Sequence, residues 1–454
     1  MSEEKRVAWG EDLVVVAAGA FAGVCAYAWQ GRLGLKALLL LAVSVVLFFV
    51  GRRMLEKAVK KKADLYAKIF FTIAGILALL RHPISVPVVD ANGAVVPGAS
   101  GVDLPIYSAI AQFIEHVDGG TFIMFALIAM AVKFVGVISS AFSWHLLLVG
   151  QGVRFPFWNK IMTSFLIGRF IGTFLPSTIG LDGYTLYEAG HYSNQWPRAV
   201  TAKVLEKFVG ITGLFLGMVV TLPFGYSVLV DVTSELGKPE AAPVLAGAIL
   251  VVAGGISAVV VVGLVWPGFI VWNMGIFGKL MPKKISHHVD SFTNAVGAYR
   301  GQIKLLMLVL VNKFITHFTT AVVYFFTALA IGVVGAAFWP IVFGSTIQIF
   351  ATIFSPTIAG EGAREAFQAL LLSEQLGGVA PAVLSGALGF IAAEAATMWG
   401  GIFLLTRKGG WRPRYCLVDG EQVDYSWIVD EEEGFSAERV AEARREAAAA
   451  QPAT

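Results

Sequence analysis

The chain has 454 residues, of which 57% are hydrophobic and only 14% charged, and its formal net charge is +3. Soluble domains carry about 25% charged residues, so this composition excludes an ordinary soluble domain and predicts an all-α polytopic membrane protein. Two cysteines, Cys25 and Cys416, are too few and too far apart to imply a disulfide framework.

Eight apolar segments are candidates to cross a bilayer, which takes ~20 residues as a helix. They are 13–29, 33–50, 65–80, 120–150, 199–223, 242–267, 304–334 and 380–405. The first follows Glu3, Glu4, Glu11 and Asp12, a poor flank for a cleaved signal peptide, and is read as a helix. A basic cytoplasmic loop runs from Arg52 to Lys62. The outer loop 81–105 is rich in Pro, Gly, Val and Asp, and 105–117 reads as a short amphipathic helix with a candidate counterpart at 286–300. Two further apolar segments, 157–192 and 340–373, are interrupted by "FLPSTIGLDG" (Phe174–Gly183) and "FSPTIAGEGA" (Phe354–Ala363). The tail from Trp411 is polar, acidic at Asp430–Glu433, and expected to be solvated and partly disordered. The resulting divisions are 1–64, 65–224, 242–405 and 406–454.

Lys and Arg set the orientation. With both termini in the cytoplasm, the inner loops hold Arg52, Lys62, Arg154, Arg198, Lys284, Arg300 and Arg407 among many others, and the outer loops hold only Arg32, Lys36, Arg81 and Lys238. That asymmetry survives only if each interrupted segment enters and leaves on the same side, as a re-entrant helical hairpin. A shift of 180 residues then places Lys133 on Lys313, Ser139-Ser140 on Thr319-Thr320, Pro176 on Pro356 and Gly180 on Gly360. Within 166–180 there are five identities in fifteen positions. With the charge pattern, this predicts an inverted-topology repeat, a layout that places binding sites near the bilayer midplane.

The two interruptions have a physical use. Proline ends the first half-helix and glycine permits a tight reversal. The second half-helix then starts near Asp182 or Glu361, with free N–H groups facing the core, where an anion is favoured. Taken singly, each Pro-x-x-x-Gly is better explained by a kink between packed helices, with Asp182 and Glu361 as ordinary first-turn residues. Taken as a symmetric pair, they predict hairpin tips, Pro176/Gly180 and Pro356/Gly360, lining a central cavity.

Ionisable residues inside a membrane cost ~2.5–3.5 kcal/mol each even on permissive scales, which makes them functional candidates. Arg169, Asp182, Glu206, Glu361, Arg364 and Glu365 are the leading ones, with Ser177, Thr178 and Thr357 beside the tips and Lys133 and Lys313 as an intramembrane pair. "EGARE" places Glu361 and Glu365 one turn apart around Arg364. Lys207 and Glu188 are read as snorkelling or surface residues, and His145 and His317 as packing residues. No catalytic residue, metal site, cofactor or nucleic-acid partner is indicated. Walker A, His-Glu-x-x-His, Cys-x-x-Cys and Gly-x-Ser-x-Gly are all missing from the sequence.

"FLIGRFIGTFLPSTIGLDGYTLYEAG", "WPRAVTAKVLEKFVGITGLF" and "FSPTIAGEGAREAFQALLL" together resemble the lysylphosphatidylglycerol synthase transmembrane family, the flippase-like domain of multiple peptide resistance factors. The resemblance covers about 120–405. It implies re-entrant helices, a lipid-translocating role in the plasma or inner membrane and a homodimer. It implies site roles for Arg169, Pro176, Gly180, Asp182, Glu206, Pro356, Gly360, Glu361 and Arg364. This sequence has Gly180-Leu181-Asp182-Gly183-Tyr184 where the family has two glycines and an arginine after the acid, and Lys207 where the family has arginine. No aminoacyl-transferase segment is recognised, so lysyl-lipid synthesis is not expected. The leading expectation is a flippase for a polar-headed, phosphate-bearing lipid. The alternatives are an ion-coupled transporter of a small anion or metabolite and a non-transporting membrane scaffold.

Overall fold

The computed structural model describes residues 3–29, 35–55, 57–86, 101–174, 179–266, 294–333, 335–353, 360–406 and 415–424. Three helices come first: α1 (Glu3–Trp29), α2 (Leu35–Met54) and α3 (Lys57–Arg81). They overlap the three apolar segments 13–29, 33–50 and 65–80. The basic stretch expected as a loop is helical from Lys57 onward, because "KAVKKKADLYAK" contains no Gly or Pro and is dominated by strong helix formers. Arg52 grips Asp64 through two hydrogen bonds, 2.5 and 2.8 Å, and so ties α2 to α3.

A short antiparallel ribbon, β1 (Pro83–Val86) with β2 (Val102–Pro105), then leads into α4 (Ile106–Ile114). α4 matches the short helix expected there. The chain continues as α5 (Gly119–Gly150), β3 (Val153–Arg154), a π-helical turn (Phe157–Met162), α6 (Thr163–Phe174), α7 (Ile179–Ser193) and α8 (Trp196–Glu235). Asp118 caps α5, its carboxylate accepting from the Thr121 N–H at 2.7 Å. α9 (Pro239–Val265) follows. After it come α10 (Ile303–Ala330), α11 (Phe338–Ile353), α12 (Ala363–Leu376), α13 (Val379–Ala395), α14 (Trp399–Leu405), β4 (Tyr415–Val418) and β5 (Glu421–Asp424). Among the described residues five helical stretches are long and apolar enough to cross a membrane: α5, α8, α9, α10 and α13 with α14.

Several expectations need correcting. The fold is mostly helical as expected, and five short strands accompany the helices among the described residues. α8 continues past Pro223 for twelve residues instead of ending there. A transmembrane helix tolerates an internal proline where neighbours re-satisfy its backbone. The last span is interrupted by a turn at 396–398. Part of the tail is ordered: β4 pairs antiparallel with β3 and β5 with β4. The acidic run, the segment after it and most of 286–300 lie outside the described residues.

Two cores lie along α8. In one, Leu205 and Val209 of α8 join Trp144, Leu147 and Leu148 of α5 and Phe165 and Leu166 of α6. In the other, Leu222, Val228 and Leu229 of α8 join Ile341 and Phe343 of α11 and Leu371 and Leu372 of α12. α6 and α7 therefore pack at the start of α8, and α11 and α12 at its end. The base of each pair is tied at one end of the bundle. Arg198, at the start of α8, donates to Gln151 O just after α5 (3.1 Å). Gln375, at the end of α12, donates to Asp231 near the end of α8 (2.7 Å). The residues that flank α6 and α7 thus lie together at the start of α8, and the end of α12 lies at its other end.

α5 and α10 cross at Gly136, where the Thr316 hydroxyl donates to the Gly136 carbonyl at 3.3 Å. A Cβ at position 136 would run into the Thr319 hydroxyl, so glycine is what permits the close crossing. On either side of it the hydrogen bonds are reciprocal. Lys133 donates to Thr320 and Lys313 donates to Ser140, both at 3.0 Å. Lys133 and Lys313 are 180 positions apart, and so are Ser140 and Thr320. This is the pattern a two-fold relation between the helices would produce.

Candidate functional site

The expected site residues fall into two groups. The first surrounds Glu206 on α8. Glu206 accepts from Lys203, one turn earlier, at 2.6 Å and from Lys313 of α10 at 2.7 Å. Lys203 also donates to Thr185 at 2.9 Å and lies over the Trp144 ring, 3.8 Å from its centroid. Asp182, near the start of α7, binds Lys207 and lies 3.9 Å from Lys203. Lys203, Glu206 and Lys313 are all below a tenth exposed. Burying ions is costly unless they are paired and hydrogen-bonded, and this network supplies the pairing: one carboxylate serves two ammoniums.

The second group lies where the hairpins approach the last helices. Arg169 on α6 meets Glu394 on α13 at 3.4 Å, and Thr173, one turn further, donates to the same carboxylate at 2.5 Å. Lys133 is within electrostatic reach of Arg169, Glu394 and Arg364. Arg364 is buried, lies over the Phe390 ring at 4.0 Å and is 3.7 Å from Glu365. Glu365 accepts from the Gly362 N–H at 2.7 Å, closing the start of α12. Glu361 is within electrostatic reach of Arg364, Glu365 and Glu394. Arg169 and Glu394 are each about one-fifth exposed (21% and 19%), so this group, unlike Lys203–Glu206–Lys313, opens to the surroundings.

Arg169, Glu361, Arg364 and Glu365 thus lie with Glu394 and Lys133, and Asp182 and Glu206 lie with Lys313. Asp182 is engaged by lysines of α8. Gly180 and Gly360 mark the returning half-helices. A Cβ at Gly180 would meet the Gly172 backbone at 2.5 Å, and Gly360 has φ +76 beside Thr352. Gly180 therefore lets α7 lie close against α6, and Gly360 holds a backbone conformation that favours glycine. Pro176, Ser177, Thr178, Pro356 and Thr357 lie outside the described residues.

Glu188 corrects a surface assignment. It is 2% exposed and bound to Lys160 of the π turn and to Ser164. Lys160 also lies over Tyr192, 3.5 Å from the ring centroid. Lys160, Lys203 and Thr173 were not expected as participants. Lys203 carried a signal, its position one turn before Glu206. Lys160 and Thr173 carried none that a local pattern provides.

The chain belongs to the lysylphosphatidylglycerol synthase TM region family. The family match spans residues 100–401, from just before β2 to α14, and so contains both hairpins and both charged groups. No curated protein and no solved structure matches the chain. The lysylphosphatidylglycerol synthase TM region leaves α1, α2, α3 and β1 outside the match at one end and β4 and β5 at the other. A cavity of about 590 Å³ lies apart from the charged groups, at the base of the second hairpin, with Glu235, Ser373, Glu374 and His82 in its wall.

Proposed function

We propose that this member of the family moves a polar-headed, phosphate-bearing lipid across a cell membrane, with both termini in the cytoplasm. In this reading the two hairpins are re-entrant, entering from opposite faces as the halves of an inverted repeat. The head group passes between them, and the acyl tails stay in the bilayer. The protein acts as a translocase that makes and breaks no covalent bond.

The observation that carries this reading is the Arg169–Glu394 contact. It joins α6 of the first hairpin to α13 of the other repeat, within reach of Lys133 and Arg364. It is partly exposed, each side chain about one-fifth. A guanidinium is costly in lipid, and a hairpin that only packed would be served as well by leucine. A phosphate would compensate that cost through charge-assisted contacts. An amine on the head group would be met by Glu361, Glu365 or Glu394. The family supports a lipid-related membrane function.

The test is reconstitution in liposomes with a leaflet-accessibility assay on fluorescent phospholipids, without ATP, run beside uptake of a water-soluble anion. Lipid movement is expected. Arg169→Gln should slow it at least tenfold, and Arg169→Lys should restore part of the rate. Anion uptake without lipid movement would support a solute transporter instead, and neither activity would support a scaffold.

A further inference from the structure

The two repeat-related lysines differ in one respect. Lys313 has a carboxylate, Glu206, at 2.7 Å. Lys133 is 7% exposed and hydrogen-bonds to the neutral Thr320 hydroxyl, and no carboxylate lies within ion-pair distance of it among the described residues. The counterpart of Glu206 in the second repeat is a glycine by either way of finding it. The 180-residue offset gives Gly386. The packing register, in which Gly217 on Thr346 answers Gly400 on Leu166, gives Gly389. The fold therefore provides one buried ammonium with an internal counter-ion and omits it for the other.

Two guanidiniums, Arg169 and Arg364, and one carboxylate, Glu394, are the charged neighbours of Lys133. An ammonium has three protons to donate, and Thr320 takes one of them. A buried, unpaired ammonium is costly. An anion from outside the chain would give Lys133 the direct counter-charge that Thr320 does not, and the partly exposed Arg169–Glu394 contact marks where it can arrive.

Resting on the translocation reading, we propose that Lys133, with Arg169 and Arg364, forms an anion site for a phosphate group, in which the ligand takes the place that Glu206 occupies beside Lys313. The phosphate of a phospholipid head group and free inorganic phosphate share this chemistry.

The test is thermal unfolding of the full chain in detergent. The probes are a short-chain phosphatidylglycerol, a diacylglycerol with the same acyl chains, and inorganic phosphate. The phosphatidylglycerol should raise Tm and the diacylglycerol should not. Lys133→Gln should weaken the half-saturating concentration at least tenfold, and Lys133→Arg should keep it within a few-fold. Thr320→Asp supplies an internal carboxylate while retaining the lysine. It should unfold at a higher temperature without ligand and lose the phospholipid-dependent rise. An equal rise with diacylglycerol, or a wild-type response in Lys133→Gln or Thr320→Asp, would overturn the site. A rise with inorganic phosphate alone would keep the anion site and remove the lipid as its ligand. The two ideas fail separately. Loss of the response in Lys133→Gln with no lipid movement by the wild type leaves the site standing without the translocation. Lipid movement that Lys133→Gln leaves unchanged, with an unchanged response, does the reverse.

Discussion

Glu206 is the residue whose loss this fold should feel most. It is buried and holds two buried ammoniums, so Glu206→Gln leaves Lys203 and Lys313 without their shared carboxylate. Removing one partner of a buried pair costs about 3–5 kcal/mol. Asp182→Asn should cost clearly less, because Asp182 is 21% and Lys207 49% exposed at the side chain and solvent screens them. Melting both variants in detergent checks the order, and an equal loss would contradict it. The glycines give a second residue-scale prediction. Gly180→Leu drives a side chain into the Gly172 backbone, where nothing flexible can yield, so it should destabilise by about 1–3 kcal/mol. Gly210 lies within α8 with nothing inside 4 Å of its would-be Cβ, so Gly210→Ala should stabilise by about 0.5–1 kcal/mol. Lone charges in apolar runs were legible from the sequence, and Glu206, Arg169 and Arg364 all sit in polar groups. What a single charge does not reveal is its partner. Glu188 reads as a surface residue until Lys160 meets it from a different helix, 28 residues away.

At the scale of elements, helices long enough to span and the two interruptions were legible because apolar length and Pro/Gly chemistry are local. The ordered tail strand was not, since its partner is β3, more than 250 residues earlier, and two residues of strand leave no periodicity. β4 and β5 close the base of the first hairpin. Cys416 is fully buried there, and Asp419 accepts from Arg198 at 2.8 Å while its N–H donates to Gly152 O. The hydrogen bond from Arg198 holds the Asp419 carboxyl below the usual carboxylate range. A depressed carboxylate contributes stability above its unfolded pKa and loses it as pH falls through the folded value. The Arg198–Asp419 latch should thus be intact at neutral pH and fail only in acid. With Cys25→Ser as background, Arg198→Ala should speed alkylation of Cys416 relative to the parent at pH 6–8. The difference should vanish once pH drops below the Asp419 pKa. No difference at neutral pH would mean that the strand is held by its ladder alone.

At the scale of the whole molecule, the 180-residue offset was legible in a handful of positions, and Lys133, Lys313, Ser140 and Thr320, which it pairs, lie in two reciprocal hydrogen bonds. The offset does not hold to the end of the second repeat. Gly217 answers Gly400 three positions out of register, close to the turn at 396–398 that separates α13 from α14. The layout makes a prediction about sides. If each hairpin returns to the face it left, then Arg154 before the first hairpin and Trp196 after it share a face. Arg300, before α10, shares it too, because Gln302 donates to Gly150 O and Tyr299 to Leu147 O at the end of α5. Lys238, between α8 and α9, must lie on the opposite face with His116, before α5. In a cysteine-free background, single cysteines at 154, 196 and 300 should be shielded from a membrane-impermeant maleimide applied to intact cells. Cysteines at 116 and 238 should react, since the Lys and Arg bias puts the first set in the cytoplasm. Labelling of 196 but not 154 would mean that the first hairpin crosses fully. Labelling of 300 together with 238 would place α10 upside down, and the reciprocal lysines could then not belong to an inverted repeat.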